Sequence, residues 1–324
     1  MIRADPLRAA SPLPPRVPAW ALSVGPVSSD ADAAFFAGAA LNSLDNLVRS
    51  EPAWVGVWRQ RLALKCAVSA CRLAGRSEDE AALRDAWVLR QPGAALGPAG
   101  NLLAVWRQLA SRPPVIDVER LAEVVDRLGL RWDDGFGDLP GVIDDMARSG
   151  RPAPFAAAAI ASRVVARRPD AEALAWWCAD LALAQSLRWP KPVPLLMAQV
   201  FTPVFFRADG AVGTRGSGRK IRPGEQKEFE RAVCLAVAQG AAEACRLAGE
   251  IDRRAHQLMT VAPKLRAKGA EDVVKKLLDD DAVSGSLTTK SLSRFGARRL
   301  FARLQSLDAV RELSGRPTFR LYGL

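Results

Sequence analysis

Apolar residues recur at three- and four-residue intervals along most of the chain, which is the spacing of one face of an α-helix. One such stripe contains Trp54, Trp58, Leu62 and Cys66. A tryptophan stripe at this spacing is typical of a buried core face rather than of a platform on which bases stack. Arg59 and Arg61 lie off the stripe, so we expect them to point away from the core. Segments of this kind predict helices over 31–49, 52–73, 77–89, 101–109, 117–128, 139–146, 153–166, 170–187, 226–258 and 271–278.

The pattern changes near the C-terminal end. Ser293 is a suitable N-cap for a helix, and Asp308 stands where that helix must end, because Asp tolerates the left-handed backbone conformation. The buried stripe of this helix would be Ala297, Leu300, Phe301 and Leu304. An alternating stretch follows, in which Ser314 to Pro317 favours a turn between two short strands. The strand residues expected to face the core are Leu313, Phe319 and Leu321.

A helix, a sharp stop and a basic hairpin occur in this order in a winged helix-turn-helix, whose last helix enters the major groove of DNA. Charge agrees with this interpretation, because the formal net charge is +11 and the chain from residue 284 onward has eight basic and two acidic residues. The residues predicted to contact DNA here are Arg294, Arg298, Arg299, Arg303, Arg316 and Arg320. The alternative is a basic helix and hairpin that only cap a helical protein.

A second basic segment lies in the middle of the chain. Residues 207–225 are rich in glycine, which disfavours regular structure, and they form either a solvated linker or a loop that reaches a phosphate backbone. The loop residues predicted to contact DNA are Arg215, Arg219, Lys220 and Arg222.

Composition supports a mostly helical protein. The chain has 324 residues, is 49% hydrophobic and contains a single Tyr, while Ala and Leu are abundant. The predicted fold class is all-α, a multi-helix body with a small C-terminal winged helix-turn-helix that carries a two-stranded β-hairpin. The predicted divisions are an irregular Pro-rich arm (1–30), a helical body (31–206), a basic flexible loop (207–225), a long helix completing the body (226–268) and a winged-helix-like module (269–324).

Candidate catalytic chemistry is sparse. The single histidine, His256, excludes a two-histidine metal site and has no serine–acid partner pattern around it. The acidic clusters 144–145 and 279–281 lie near helix ends, where adjacent carboxylates point apart. The five cysteines lack a CxxC pair and fall within apolar helical runs, which is typical of a reduced protein. We therefore expect a cytoplasmic protein that does not enter a membrane, has no enzyme activity and uses no cofactor or metal.

Three segments carry a resemblance to a known family: ALNSLDNLVRSEPAWVGVWRQRLALKCAVSACRLAGRSEDEAALRDA, LAWWCADLALAQSLRWPKPVPLLM and LFARLQSLDAVRELSGRPTFRLYGL. They resemble the bacterial family called domain of unknown function 1403, over nearly the whole chain. The resemblance implies a bacterial protein, often plasmid-borne, and it leaves the activity open.

The C-terminal end alone is similar to the winged-helix tail of Fic-type proteins. The matching residues are Ser293, Ala297, Leu304, Arg311, Glu312, Ser314, Gly315 and Arg316. The Fic His-Pro-Phe and Gly-Asn-Gly-Arg motif is absent, so AMP transfer is not implied. Lys290 stands where the preceding helix normally buries a leucine.

The sequence therefore predicts a non-enzymatic DNA-binding protein with a regulatory or plasmid-associated role. The alternative is a helical protein-interaction or homo-oligomerisation scaffold with a degenerate winged helix.

Overall fold

The computed structural model describes residues 13–91, 93–206, 219–223 and 225–324. Most of these residues are helical, as expected from the periodicity. The helices are α1 Asp30–Ser50, α2 Val55–Leu73, α3 Glu80–Val88, α4 Gly97–Ser111, α5 Val118–Arg127, α6 Leu139–Arg148, α7 Ala153–Arg167, α8 Glu172–Ser186, α9 Leu196–Gln199, α10 Gln226–Val261, α11 Ala270–Asp279 and α12 Arg294–Ser306. Residues 13–29, which precede α1, are irregular apart from one 3-10 turn at Ala19–Ala21. No helix in the described ranges has the length and apolar character needed to span a membrane.

A small antiparallel sheet lies at the C-terminal end. Its strands are β1 Val283–Ser284, β2 Arg311–Glu312 and β3 Leu321–Gly323, in the spatial order β1-β3-β2. Tyr322 of β3 lies opposite Val283 on one side and Glu312 on the other. The expectation of a mostly helical protein is confirmed, with a three-stranded sheet where a two-stranded hairpin was predicted. The third strand escaped prediction because a two-residue strand is too short to show alternation.

Helix α10 is the longest element, with 36 residues and a length of about 54 Å. It packs along α1 and α7, while α7 pairs with α8 and α2 packs against α4, α9 and α11. The contact face of α1 contains Ala33, Ala37 and Ala40, all fully buried, and such small side chains let helices approach closely. One continuous hydrophobic core extends from α1 to α12 and β3.

The large aromatic residues and the cysteines lie inside this core. Trp54, the N-cap of α2, and Trp58 of α2 are buried as predicted, and Trp58 Nε1 donates a hydrogen bond to the backbone oxygen of Ala244 at 2.9 Å. All five cysteines are unpaired and buried. Burial raises the pKa of the Cys178 thiol to about 12 and that of Cys71 to about 11. These cysteines are core residues whose thiolate forms are strongly disfavoured.

The prediction that Arg59 and Arg61 point away from the core is wrong. Only 3% of Arg59 and 4% of Arg61 is exposed. Burial lowers the pKa of Arg59, and its Nε and Nη2 atoms have no hydrogen-bond partner among the described residues. Periodicity failed here because α2 is surrounded on several sides, and the elements that cover it come from distant parts of the sequence.

A buried aspartate side chain organises the segment after α8. Asp180 is completely buried and accepts hydrogen bonds from the backbone amides of Leu195, at 3.0 Å, and Leu196, at 3.1 Å. It thereby satisfies donors at the start of the short helix α9, which have no partner within that helix. Burial raises the pKa of Asp180 to about 8, although both hydrogen bonds oppose the increase.

The last strand is only partly as predicted. Leu321, Tyr322 and Leu324 are buried, but 64% of Phe319 is exposed, so its assignment to the core is wrong. Phe319 has a positive φ of 52°, which interrupts the alternation of a strand and turns its side chain outward. Arg316 Nη2 donates to the backbone oxygen of Phe319 at 2.9 Å and holds this conformation.

Candidate nucleic-acid interface

The predicted recognition helix, α12, is built as its sequence indicates. The Ser293 hydroxyl accepts a hydrogen bond from the Gly296 amide at 3.2 Å, and Asp308 has a φ of 52° just beyond the other end. The Ala309 amide bonds to the Leu304 oxygen at 2.9 Å and the Asp308 amide bonds to the Gln305 oxygen at 3.0 Å, which is a Schellman motif. The predicted buried stripe of Ala297, Leu300, Phe301 and Leu304 is confirmed.

The opposite face of α12 is exposed and basic. It carries Arg294, Arg298, Arg299 and Arg303. None of these four has an ion pair or a side-chain hydrogen bond within the described ranges. Phe295 is also exposed, and it shares a face with the two arginines three and four positions later. Four guanidinium groups and one aromatic ring are therefore available to a ligand on a single helix.

The sheet and α10 fix the position of α12. The ring of Phe301 stacks on that of Tyr322, with centroids 4.6 Å apart and planes inclined by 12°. Gly323, next to Tyr322, must be glycine because a Cβ there would lie 2.6 Å from the backbone oxygen of Asp281. The side chain of Gln257 on α10 donates to the backbone oxygen of Leu307 at 3.0 Å. These contacts hold the buried side of α12 against the sheet and α10, so its basic face has a fixed position on the surface.

The hairpin arginines are occupied by other contacts. Arg316 forms a two-pronged ion pair with Asp85 of α3, with Nη2 to Oδ1 at 2.6 Å, and its pKa is raised by that carboxylate. Arg320 lies 3.7 Å from Glu312. The hairpin is therefore fastened to α3, and Arg316 serves that attachment instead of facing solvent freely.

Residues 285–293, between β1 and α12, form turns and contain no helix. Thr289 and Leu292 exchange backbone hydrogen bonds at 3.0 and 3.4 Å across a tight turn. Lys290 is exposed. This segment includes Ser286, Thr288 and Thr289, which are poor helix formers, and it adopts turn structure.

The basic residues of the central loop that the structure describes, Arg219, Lys220 and Arg222, lie far from α12. Arg219 is ion-paired with Glu225, and Lys220 contacts Glu172 at 2.5 Å. Arg222 is exposed, whereas Arg215 lies outside the described residues. The loop adjoins the start of α10 and α12 adjoins its end, so about 45 Å of helix separates them. Arg219, Lys220 and Arg222 therefore do not form one surface with the arginines of α12.

A buried ionic cluster joins the C-terminal region to the body. The Asp281 carboxylate lies between Arg61 of α2 and Arg84 of α3, and Arg84 Nε reaches Oδ2 at 2.6 Å. Arg61 Nη2 also donates to the backbone oxygen of Leu324 at 3.1 Å. Burial alone would raise the pKa of Asp281, but the two guanidinium groups outweigh it and hold this pKa below the usual range. We refer to Arg61, Arg84 and Asp281 as the anchor cluster.

The anchor cluster could not be found in the sequence, because Arg61 and Asp281 are 220 positions apart. Only one weak signal existed, the run of three acids at 279–281 that directly precedes the sheet. Asp280 of that run pairs with Arg107 at 2.6 Å. No group of three or more potential ligands in the described ranges is arranged to hold a metal ion.

Two comparisons with known proteins bear on this chain. Residues 7–324 match the family described as protein of unknown function, DUF1403. No curated protein matches the chain.

Proposed function

We propose that this chain, which belongs to the DUF1403 family, is a DNA-binding protein that uses the exposed face of α12. The observation that carries the proposal is the set of four exposed arginines on that face, none of which has a partner among the described residues. Unpaired cations on one helix face are the expected footprint of phosphate binding.

The order of elements supports this proposal. Helix α11, strand β1, a connecting segment, helix α12 and strands β2 and β3 follow the order of a winged helix, with β3 in the middle of the sheet. The turn segment 285–293 takes the place of the middle helix. In such folds the last helix enters the major groove, and here that helix is α12.

The chemistry of α12 suits the major groove. Arg298 and Arg299 can each make a two-pronged contact with guanine or neutralise a phosphate, and Phe295 beside them offers an apolar contact for a thymine methyl group. Arg294 and Arg303 lie nearer the ends of the helix, where backbone phosphates would pass. Arg316 contributes indirectly, because its contact with Asp85 holds the hairpin in place.

Combined replacement of Arg298 and Arg299 by alanine should weaken binding to duplex DNA at least tenfold at 50 mM salt. Each lost base contact accounts for about 1–3 kcal/mol, and each lost phosphate contact for less. The slope of log affinity against log salt should also become shallower by up to about 2, because two cations no longer displace counterions. Fluorescence anisotropy with labelled duplexes measures both quantities.

The matched control is Arg219→Ala combined with Arg222→Ala, which removes the same charge at the other end of α10. This pair should leave the affinity nearly unchanged. Equal losses of affinity in the two double variants would show that only the net charge matters. No change in the anisotropy of the labelled duplex at 50 mM salt would refute DNA binding altogether.

A second candidate function is a protein-interaction or homo-oligomerisation scaffold, favoured by an exposed aromatic pair. Trp20 is 64% exposed and Phe35 is 57% exposed, and their ring centroids lie 5.9 Å apart. Exposed aromatic residues in contact are typical of the centre of a protein interface.

If this pair mediates self-association, replacing Trp20 and Phe35 together by serine should raise the dissociation constant of the assembly by about 30-fold or more. Contributions of neighbouring hot-spot residues are not additive, so the pair together is expected to contribute about 2 kcal/mol or more. Light scattering over a concentration series measures the change, and Val24→Ser, at another exposed apolar position, is the control. A wild-type chain that stays monomeric throughout the series would contradict self-association.

A further inference from the structure

A cleft of about 490 Å³ lies where α2, α10 and the sheet meet. This volume is within the range of small-molecule sites. Its charged lining residues come from three parts of the chain: Arg61, Glu250, Arg253, Arg254, Asp308 and Arg311. We call this feature the arginine cleft. It is separate from the exposed face of α12.

The arginines of the cleft are incompletely compensated. Arg253, Arg254 and Arg311 have no ion pair or side-chain hydrogen bond within the described ranges. Of the two acids, Glu250 is already engaged by Arg246, which leaves Asp308 as the one acid against three unpaired arginines in the described lining. Arg61, at the cleft floor, shares Asp281 with Arg84.

The crowding of positive charge is visible at Arg311. Burial lowers its pKa, and the nearby cations Arg61, Arg254 and Arg84 lower it further, with only Asp281 acting in the opposite direction. Bringing several guanidinium groups together costs Coulombic free energy, which a bound anion would offset.

We infer that the arginine cleft binds a small phosphate-bearing anion, either inorganic phosphate or a phosphate monoester. Guanidinium groups that line the cleft from both α10 and β2 can each donate two parallel hydrogen bonds to phosphate oxygens. A phosphate dianion also carries enough charge to neutralise two of the unpaired arginines. The recessed shape favours a small molecule over a DNA backbone, which would instead follow the convex face of α12.

Such a ligand would connect the C-terminal region to the body. Arg253 and Arg254 belong to α10 and Arg311 to β2, so an anion held by both would strengthen the packing between these elements. Ligand that binds only the folded state raises the unfolding temperature by mass action. This inference does not depend on DNA binding by α12.

The test is calorimetric titration of the full chain with inorganic phosphate, pyrophosphate and phenyl phosphate, together with thermal unfolding in each anion against chloride at equal ionic strength. At least one phosphate compound should bind with a dissociation constant below 1 mM, which corresponds to a binding free energy of roughly −4 kcal/mol. The same compound should raise the unfolding temperature above the value measured in chloride. Tighter binding of phenyl phosphate identifies a monoester as the ligand class, and tighter binding of inorganic phosphate identifies the free anion.

Arg254→Gln combined with Arg311→Gln should weaken that binding at least tenfold. Without ligand, this variant should unfold at the same or a higher temperature than the wild type, because crowded cations have been removed. Arg148→Gln with Arg163→Gln, which removes two exposed arginines on α6 and α7, is the matched control. Arg298→Ala with Arg299→Ala should retain phosphate binding. Equal stabilisation by phosphates and chloride, or unchanged binding by the cleft variant, would overturn the proposal.

Discussion

Replacing Asp281 by alanine should lower the free energy of unfolding by about 3–5 kcal/mol, which is the usual cost of removing one partner of a buried ion pair. The variant leaves Arg61 and Arg84 buried with no carboxylate between them. Total stability of a folded domain is about 5–15 kcal/mol, so the C-terminal region should separate from the body well before the wild type unfolds. Urea denaturation followed by circular dichroism measures the loss.

The neighbouring carboxylate provides the control for Asp281. Asp279 is exposed and has no ion pair in the described residues, so Asp279→Ala should change stability by about 0.5 kcal/mol or less. A second test introduces Asp281→Ala into an Arg84→Met background. In that background, Asp281→Ala should lower the free energy of unfolding by at least about 1 kcal/mol less than in the wild type, because one buried cation has already been removed. Fully additive losses would show that the anchor cluster does not act as a unit.

Raising the pH from about 4 to 8 should reduce stability by roughly 5 kcal/mol through Asp180. The pKa of this carboxyl is raised to about 8 in the folded protein by burial, whereas it is about 4 in the unfolded chain. The folded state therefore holds a proton that the unfolded state releases in this window. The stabilising contribution is complete below pH 4 and is lost as pH approaches 8. Denaturation curves at each pH unit measure the slope.

Asp180→Asn should remove this dependence on pH. The amide can accept only one of the two backbone hydrogen bonds well, so the variant should be less stable than the wild type at pH 5 by about 1–3 kcal/mol. Its stability should then stay nearly constant up to pH 8. Carboxyls such as Asp281, whose pKa is lowered, finish titrating below this window. A wild-type protein with no loss of stability between pH 5 and 8 would contradict the raised pKa.

The helices could be predicted from the sequence because their signals are local. The cap at Ser293, the buried stripe ending at Leu304 and the left-handed turn at Asp308 are each determined within a few residues, and all three are confirmed. Features that depend on distant residues were not predictable in this way. Arg61 resembled a solvent-facing residue on its own helix, and its partner Asp281 is 220 positions away.

The candidate site shows the same distinction. The exposed arginines of α12 follow from the helix period, so the sequence could place Arg299 and Arg303 opposite the buried stripe, with Arg294 and Arg298 on the flank. The contact of Arg316 with Asp85 could not be foreseen, because Asp85 belongs to α3, which is 231 positions away. Because both segments are basic, the sequence analysis also assigned DNA contacts to the central loop and to the C-terminal region together. In the structure, the length of α10 separates α12 from the described loop residues.

The pairing of α1 with α10 has a consequence for synthesis on the ribosome. Asp30 of α1 contacts Arg231 of α10, which follows it by 201 residues. At a synthesis rate of about 5–20 residues per second, roughly 10–40 seconds pass between the emergence of α1 from the ribosome and that of its partner segment in α10. During that interval Leu41, Leu44 and Leu47, which the finished fold buries, are open to wrong contacts. Production of this protein should therefore be sensitive to translation speed and to chaperones that hold nascent chains, more than the stability of the completed fold would suggest.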